Sequence, residues 1–84
     1  MARFIAVHPV AFTEEQLQTL GKETPPEGTT WHATFLAVDD DTSYCHWEAP
    51  AKEVLIGVFT KYEIPYMSIR AVRLFDPATG KLEA

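Results

Sequence analysis

The sequence predicts an α+β fold in which two helices cover one face of a four-stranded antiparallel sheet. Its 84 residues are enough for one domain. Four short segments with strand character and two with helix signals follow one another in the order β-α-β-β-α-β. This order is typical of the split β-α-β arrangement, called ferredoxin-like, whose sheet has the spatial order 4-1-3-2.

The first strand and the first helix are predicted from local signals. Residues 2 to 8 are mainly apolar and precede a proline, which favours extended geometry in the residue before it, so His8 should end the strand. Thr13 is a good N-cap, and Gln16 completes a capping box with it. We therefore expect a helix of about two turns that stops at Gly21.

A β-hairpin is predicted in the middle of the chain. Residues 29 to 38 and 42 to 49 are rich in β-branched and aromatic side chains, and three aspartates at residues 39 to 41 separate them. If these aspartates form a three-residue turn, counting back along the two strands places His32 opposite Glu48.

The second half of the chain predicts a helix and a last strand. Pro50 suits the start of a helix, and the apolar residues after it recur with helical spacing. Gly57 costs this helix about 1 kcal/mol relative to alanine unless a neighbour packs closely against it. Residues 66 to 75 predict the last strand. We expect one domain over residues 1 to 76 and a polar C-terminal tail over residues 77 to 84.

Composition and charge exclude several classes of partner. Seven basic and twelve acidic side chains give a formal net charge of −5, and no cluster of Lys or Arg is present, so we expect no nucleic-acid partner. The longest apolar stretch, residues 54 to 59, is much shorter than the roughly 20 residues of a membrane span, so we expect no membrane partner. The single cysteine, with no signal peptide before Arg3, favours a cytoplasmic location.

Residue parity along the hairpin predicts which side chains lie on the sheet face away from the helices, which we call the open face. Successive side chains of a strand alternate between faces. The odd positions of both hairpin strands are apolar and suit the helix-covered core. The even positions, expected on the open face, include His32, Leu36, Tyr44, His46 and Glu48.

The first strand is apolar on both sides, as a central strand can be. If its odd positions point toward the helices, Phe4 and His8 lie on the open face, which then holds all three histidines. An exposed patch with apolar and aromatic side chains usually marks an interface. We therefore predict a homodimer with C2 symmetry that buries this face through Phe4, Leu36 and Tyr44.

The histidines of the open face are candidate metal ligands. Imidazole nitrogens and carboxylate oxygens suit divalent nickel, zinc or copper. The expected ligands are His8, His46, His32 and Glu48. Hydrogen-bonded histidines without a metal are the simpler alternative, because no Cys-x-x-Cys and no helical His-x-x-x-His is present. Cys45 matches no nucleophile motif and is expected to be a buried, unreactive thiol.

Three sequence features in a fixed order carry a family resemblance. They are the strand opened by Trp31, the segment Tyr-Cys-His-Trp-Glu-Ala-Pro at residues 44 to 50, and the Ile64-Pro65 dipeptide that closes the second helix. In these features the chain resembles a family of small bacterial ferredoxin-like domains, mostly of unknown function, that includes nickel-binding proteins.

The resemblance implies a homodimer with metal sites associated with the sheet face. Nickel-binding members have a histidine at the end of the first strand, and residues 4 to 8 resemble that segment, so the resemblance implies His8 as a ligand. After the second helix those members can place Gly-His, where this chain has Glu63-Ile64. A ligand at that position is therefore absent here.

These observations favour a cytoplasmic homodimer that binds nickel or another divalent transition metal through histidines of the sheet face. Two alternatives stay open. One is a cofactor-independent enzyme of the dimeric α+β barrel type, acting on a small aromatic or hydrophobic substrate between sheet and helices, with Glu48 or a histidine as base. The other is a protein-interaction module. A cavity of roughly a few hundred Å³ lined by groups with perturbed pKa values would favour the enzyme; no catalytic residue is assigned.

Overall fold

The computed structural model of the protein describes residues 2 to 83, so the outer limits predicted for the domain and the tail, residues 1 and 84, lie outside it. No helix within this range is long and apolar enough to cross a membrane. The elements follow in this order: β1 (Ala2–His8), α1 (Glu14–Gly21), β2 (Thr30–Leu36), β3 (Ser43–Ala49), α2 (Lys52–Lys61), β4 (Ser68–Val72), β5 (Leu74–Asp76) and β6 (Lys81–Glu83).

Strands β1 to β4 form one antiparallel sheet in the order β2-β3-β1-β4, which is 4-1-3-2 from the β4 edge. Helix α2 packs on this sheet through Leu55 and Phe59, which are 0% and 2% exposed. The prediction of a small α+β fold with two helices and a four-stranded antiparallel sheet is confirmed. The buried apolar core consists of Phe4, Ala6, Cys45, Trp47, Ala49, Leu55, Phe59 and Ile69.

The side-chain orientation predicted for β1 is wrong. Phe4 and Ala6 lie in the helix-covered core, and they pair with Trp47 and Cys45, whose side chains are buried on the same face. Because β1 is a central strand that is apolar on both sides, its own alternation does not decide its orientation. The pairing with β3 decides it and turns the even positions of β1, His8 included, toward the helices.

The hairpin between β2 and β3 has a register one residue away from the prediction. Four residues, not three, lie between Ala37 and Thr42, and the Ala37 N–H donates to the Thr42 carbonyl at 3.0 Å. Leu36 therefore pairs with Ser43, on the helix-covered face. Phe35 moves to the open face, where its side chain is 64% exposed. A one-residue change in turn length exchanges the two faces of a strand.

A β-bulge in β2 places the His32 side chain on the open face, as predicted. The register shifts between Trp31 and Ala33, which leaves His32 as the additional residue. Without this bulge the register set by the turn would pair His32 with Trp47 and point it toward the helices. With the bulge, His32 Nε2 lies 2.8 Å from Glu48 Oε1, so the predicted contact between these two residues is present.

The C-terminal segment differs from the prediction in two ways. The last strand, expected over residues 66 to 75, is divided into β4 and β5, and the predicted polar tail contributes β6. Strands β5 and β6 form a separate two-stranded sheet around a turn in which the Gly80 N–H donates to the Asp76 carbonyl at 2.7 Å. Gly80 has φ +70°, which glycine adopts readily. The hairpin exposes Phe75 and Leu82.

Helix α2 ends in a Schellman motif at Glu63. The Ile64 N–H donates to the Phe59 carbonyl at 2.8 Å, the Glu63 N–H donates to the Thr60 carbonyl at 3.2 Å, and Glu63 has φ 54°. A left-handed backbone costs about 1 kcal/mol for a residue with a β-carbon. We therefore expect Glu63→Gly to raise the free energy of unfolding by about 1 kcal/mol in urea titrations. Glu63→Ala keeps the strain and should give no comparable gain; an equal gain would assign the effect to the glutamate charge.

Candidate ligand-binding site

His8 lies apart from the other two histidines, in the core under α2. It is 1% exposed, and its ring packs edge-on against Phe12 and Phe59, with centroids 5.4 Å and 4.9 Å away. The Nδ1–H donates to the Pro65 carbonyl at 2.7 Å. The expectation that His8 shares the open face with His46 is therefore wrong, because the orientation of β1 is reversed.

The remaining predicted ligands form a polar cluster on the open face. Arg3 Nη1–H donates to His46 Nε2 at 3.0 Å and lies 3.6 Å from Glu48 Oε1. The rings of His32 and His46 are 4.7 Å apart. Partial burial lowers the pKa of His46, and the nearby charges of His32 and Arg3 lower it further, while Glu48 opposes them.

This cluster has little capacity left for a metal ion. A guanidinium group can only donate, so the Nε2 lone pair of His46 is already used by Arg3, whose positive charge also repels a cation. Residues 2 to 83 contain no group of three or more His, Cys, Asp or Glu side chains arranged to hold a metal. Nickel binding through His8, His32, His46 and Glu48 stays a prediction.

Of the three predicted interface residues, only Tyr44 lies on the open face, where it is 40% exposed. Phe4 is 4% exposed in the core, and Leu36 lies on the helix-covered face, for the register reasons given above. Phe35, expected in the core, pairs with Tyr44 across β2 and β3. These two aromatic side chains form the main apolar patch that the hairpin presents to solvent.

The feature with the clearest chemical potential is a cavity of about 660 Å³ between the sheet and the helices. Its volume is in the range of pockets that take small organic ligands. Its wall is mainly apolar, and one side is formed by Trp31 and Trp47, whose rings stack with centroids 5.7 Å apart and planes 13° from parallel. The two tryptophans meet because they are direct partners on β2 and β3.

Helix α1 closes one side of this cavity. Its capping box is present as predicted, with the Gln16 N–H donating to Thr13 Oγ1 at 3.1 Å and the Thr13 N–H donating to Gln16 Oε1 at 2.8 Å. The helix nevertheless has no buried residue, and its apolar side chains Leu17 and Leu20 line the cavity. Because α1 does not pack closely on the sheet, space for a ligand remains beneath it.

Gly57 of α2 also lines the cavity. Apart from its chain neighbours and its own helix backbone, a β-carbon at this exposed position would meet no described atom within 4 Å, so no close neighbour requires glycine here. The missing side chain instead leaves space open at the cavity, although glycine weakens the helix.

Two polar atoms of the cavity residues are buried without a partner. Trp47 and Thr29 are 7% and 6% exposed, and among residues 2 to 83 no group hydrogen-bonds to Trp47 Nε1 or to Thr29 Oγ1. A buried donor or acceptor without a partner costs about 1–3 kcal/mol. Neither atom is open to contact from the cavity as the side chains stand.

The two buried titratable groups beside the cavity, His8 and Cys45, are held in their neutral forms. Burial lowers the pKa of His8, and the hydrogen bond to the Pro65 carbonyl only partly opposes this effect. Burial likewise raises the pKa of the Cys45 thiol, although Thr34 Oγ1, which donates to its sulfur at 3.0 Å, opposes the rise. Cys45 is therefore a buried thiol with little thiolate character, as expected.

Sequence reasoning missed most of this site. The enzyme alternative expects a cavity between sheet and helices, but Trp47 and Thr29 are not among the predicted site residues, because a buried polar atom without a partner has no sequence pattern. Gly57 carried the one available signal, a helix-weakening residue within an amphipathic helix.

No family model matches the chain, and no curated protein or solved structure matches it significantly. The resemblance to small ferredoxin-like, nickel-binding domains therefore stays a prediction.

Proposed function

We propose that the protein binds a small, mainly apolar aromatic molecule in the cavity between the sheet and the helices. The observation that carries this proposal is an apolar cavity of about 660 Å³ whose wall includes the stacked rings of Trp31 and Trp47. The two tryptophan rings present a large apolar surface, against which the flat ring of an aromatic ligand can pack.

The proposal is for binding, with no reaction assigned. The cavity is of the kind expected for the alternative enzyme, but its deepest titratable group is a buried neutral histidine. Protonation of His8 would place a charge in a desolvated site, which is unfavourable. His8 is therefore better suited to accept a hydrogen bond than to hold a transferred proton.

We also infer that the fold is ferredoxin-like and that two copies associate through the open face. The element order and the sheet order β2-β3-β1-β4 support the fold. Phe35 and Tyr44, exposed by 64% and 40% on adjacent strands, support an apolar contact between copies. Light scattering at micromolar concentration should give twice the mass of one chain, and a monomer would contradict the dimer.

The binding proposal is tested with 2-methoxynaphthalene, a neutral two-ring ligand with one oxygen acceptor. We expect it to raise the melting temperature in a concentration-dependent way, because a ligand of the folded state stabilises it by mass action. In ¹H–¹⁵N spectra the Trp47 indole N–H signal should move more than that of Trp31, whose Nε1–H already donates to Thr34 Oγ1 at 2.8 Å. Glucose, which is small and polar, is the control. No thermal shift with the naphthalene compound would overturn the proposal.

A further inference from the structure

The polar atoms around the cavity differ in what they can offer a ligand. The indole Nε1–H of Trp47 can only donate, and its nitrogen is not open to contact from the cavity. The hydroxyl of Thr29 can donate or accept and therefore does not discriminate. The third polar group is the ring of His8. Its contacts within the protein determine which ring nitrogen donates a hydrogen bond and which accepts one.

The tautomer of His8 follows from its contact with the chain after α2. The Pro65 carbonyl can only accept, so Nδ1 carries the hydrogen of the 2.7 Å bond and Nε2 of the neutral ring carries a lone pair. No residue in the range 2 to 83 donates to Nε2. Desolvation lowers the pKa of His8, which keeps the ring neutral and this lone pair available.

Charges at the cavity favour a neutral ligand. Glu23, Glu53 and Lys61 line it and are exposed, so two carboxylates stand against one ammonium group. This net negative charge would repel an anionic ligand. His8, deeper in the cavity, is neutral and would not compensate the charge of the ligand. A buried charge without a partner is strongly unfavourable.

Building on the proposed function, we propose that the ligand is a neutral aromatic compound that carries a hydroxyl or N–H donor. The donor binds His8 Nε2, and the aromatic ring of the ligand lies against Trp47. Both side chains line the same cavity and both contact the ring of Phe59, with centroids 4.9 Å and 5.9 Å away. Phenol-type and enol-type molecules have such a donor.

The test compares 2-naphthol, which has a hydroxyl donor, with 2-methoxynaphthalene, which lacks it. We expect 2-naphthol to bind the unmodified protein about tenfold more tightly in calorimetric titrations, since a buried acceptor then gains its partner. His8→Asn keeps a donor for the Pro65 carbonyl and removes the Nε2 acceptor. In this variant the affinity ratio should fall to about one, because only the donor contact is lost.

A second measurement needs no variant and covers the case in which His8→Asn does not fold. In long-range ¹H–¹⁵N spectra of the unmodified protein, 2-naphthol should shift the Nε2 signal of His8, and 2-methoxynaphthalene should shift it much less. Equal affinities for the two compounds, or an unchanged ratio in His8→Asn, would overturn the donor requirement while leaving the binding proposal standing. If neither compound binds, the proposed function itself is wrong.

Discussion

Replacing Gly57 with phenylalanine is expected to abolish the binding of 2-methoxynaphthalene while the protein stays folded. Gly57 lines the cavity, and no described atom lies within 4 Å of a β-carbon placed there, so a large side chain has room to enter the space that the ligand would fill. The helix itself gains from the change, because glycine is a poor helix former. The measurement is the ligand-induced rise in melting temperature, which should vanish in Gly57→Phe.

Gly57→Ala is the matched control for this variant. Its single methyl group removes the helix cost of glycine and should raise the free energy of unfolding by about 1 kcal/mol. It occupies little of the 660 Å³ cavity, so ligand binding should persist. If Gly57→Phe binds the ligand as well as Gly57→Ala does, the cavity is not the binding site.

The elements were predictable because their signals are local. The capping box of Thr13 and Gln16, the helical spacing after Pro50 and the aspartate-rich turn each act over a few residues, and tertiary contacts do not oppose them. Orientation was harder. β1 is apolar on both sides, so only its pairing with β3 determines that His8 faces the helices.

The face of each hairpin side chain depended on two backbone details that composition does not specify. The turn has four residues instead of the predicted three, which places Phe35 on the open face. The bulge at His32 then returns His32 and the residues before it to their predicted faces. Either detail changes which side chains share a face. A parity argument therefore fails wherever turn length is uncertain by one residue.

A cavity between sheet and helices was expected only for the enzyme alternative, and its lining could not be predicted because it arises from what the elements leave unfilled. Helix α1 has the pattern of an amphipathic helix, yet it buries no residue completely. Whether Leu17 and Leu20 touch the sheet or line a space depends on the loop that follows, which contains Pro25 and Pro26. Unpartnered polar atoms likewise become visible only when all neighbours are in place.

Phe59→Ala is expected to lower the free energy of unfolding by about 3–5 kcal/mol, in urea titrations monitored by tryptophan fluorescence. Phe59 is 2% exposed, and its ring lies between three others, with centroids 4.9 Å from His8, 5.9 Å from Trp47 and 5.6 Å from Tyr66. Truncation therefore removes a large buried side chain and the ring contacts that hold the deep end of the cavity. A small domain has about 5–15 kcal/mol of total stability, so this loss brings it near the point of unfolding.

Leu55→Ala separates the contribution of Phe59 to stability from its contribution to the site. Leu55 is 0% exposed in the same helix and should cost about 2–5 kcal/mol on truncation. It is not among the residues that line the cavity, whereas Phe59 is. At temperatures where both variants are folded, Leu55→Ala should bind 2-methoxynaphthalene with nearly unchanged affinity and Phe59→Ala should bind it more weakly. Equal affinities in the two variants would mean that Phe59 only holds the core together, and that His8 and Trp47 keep their positions without its ring.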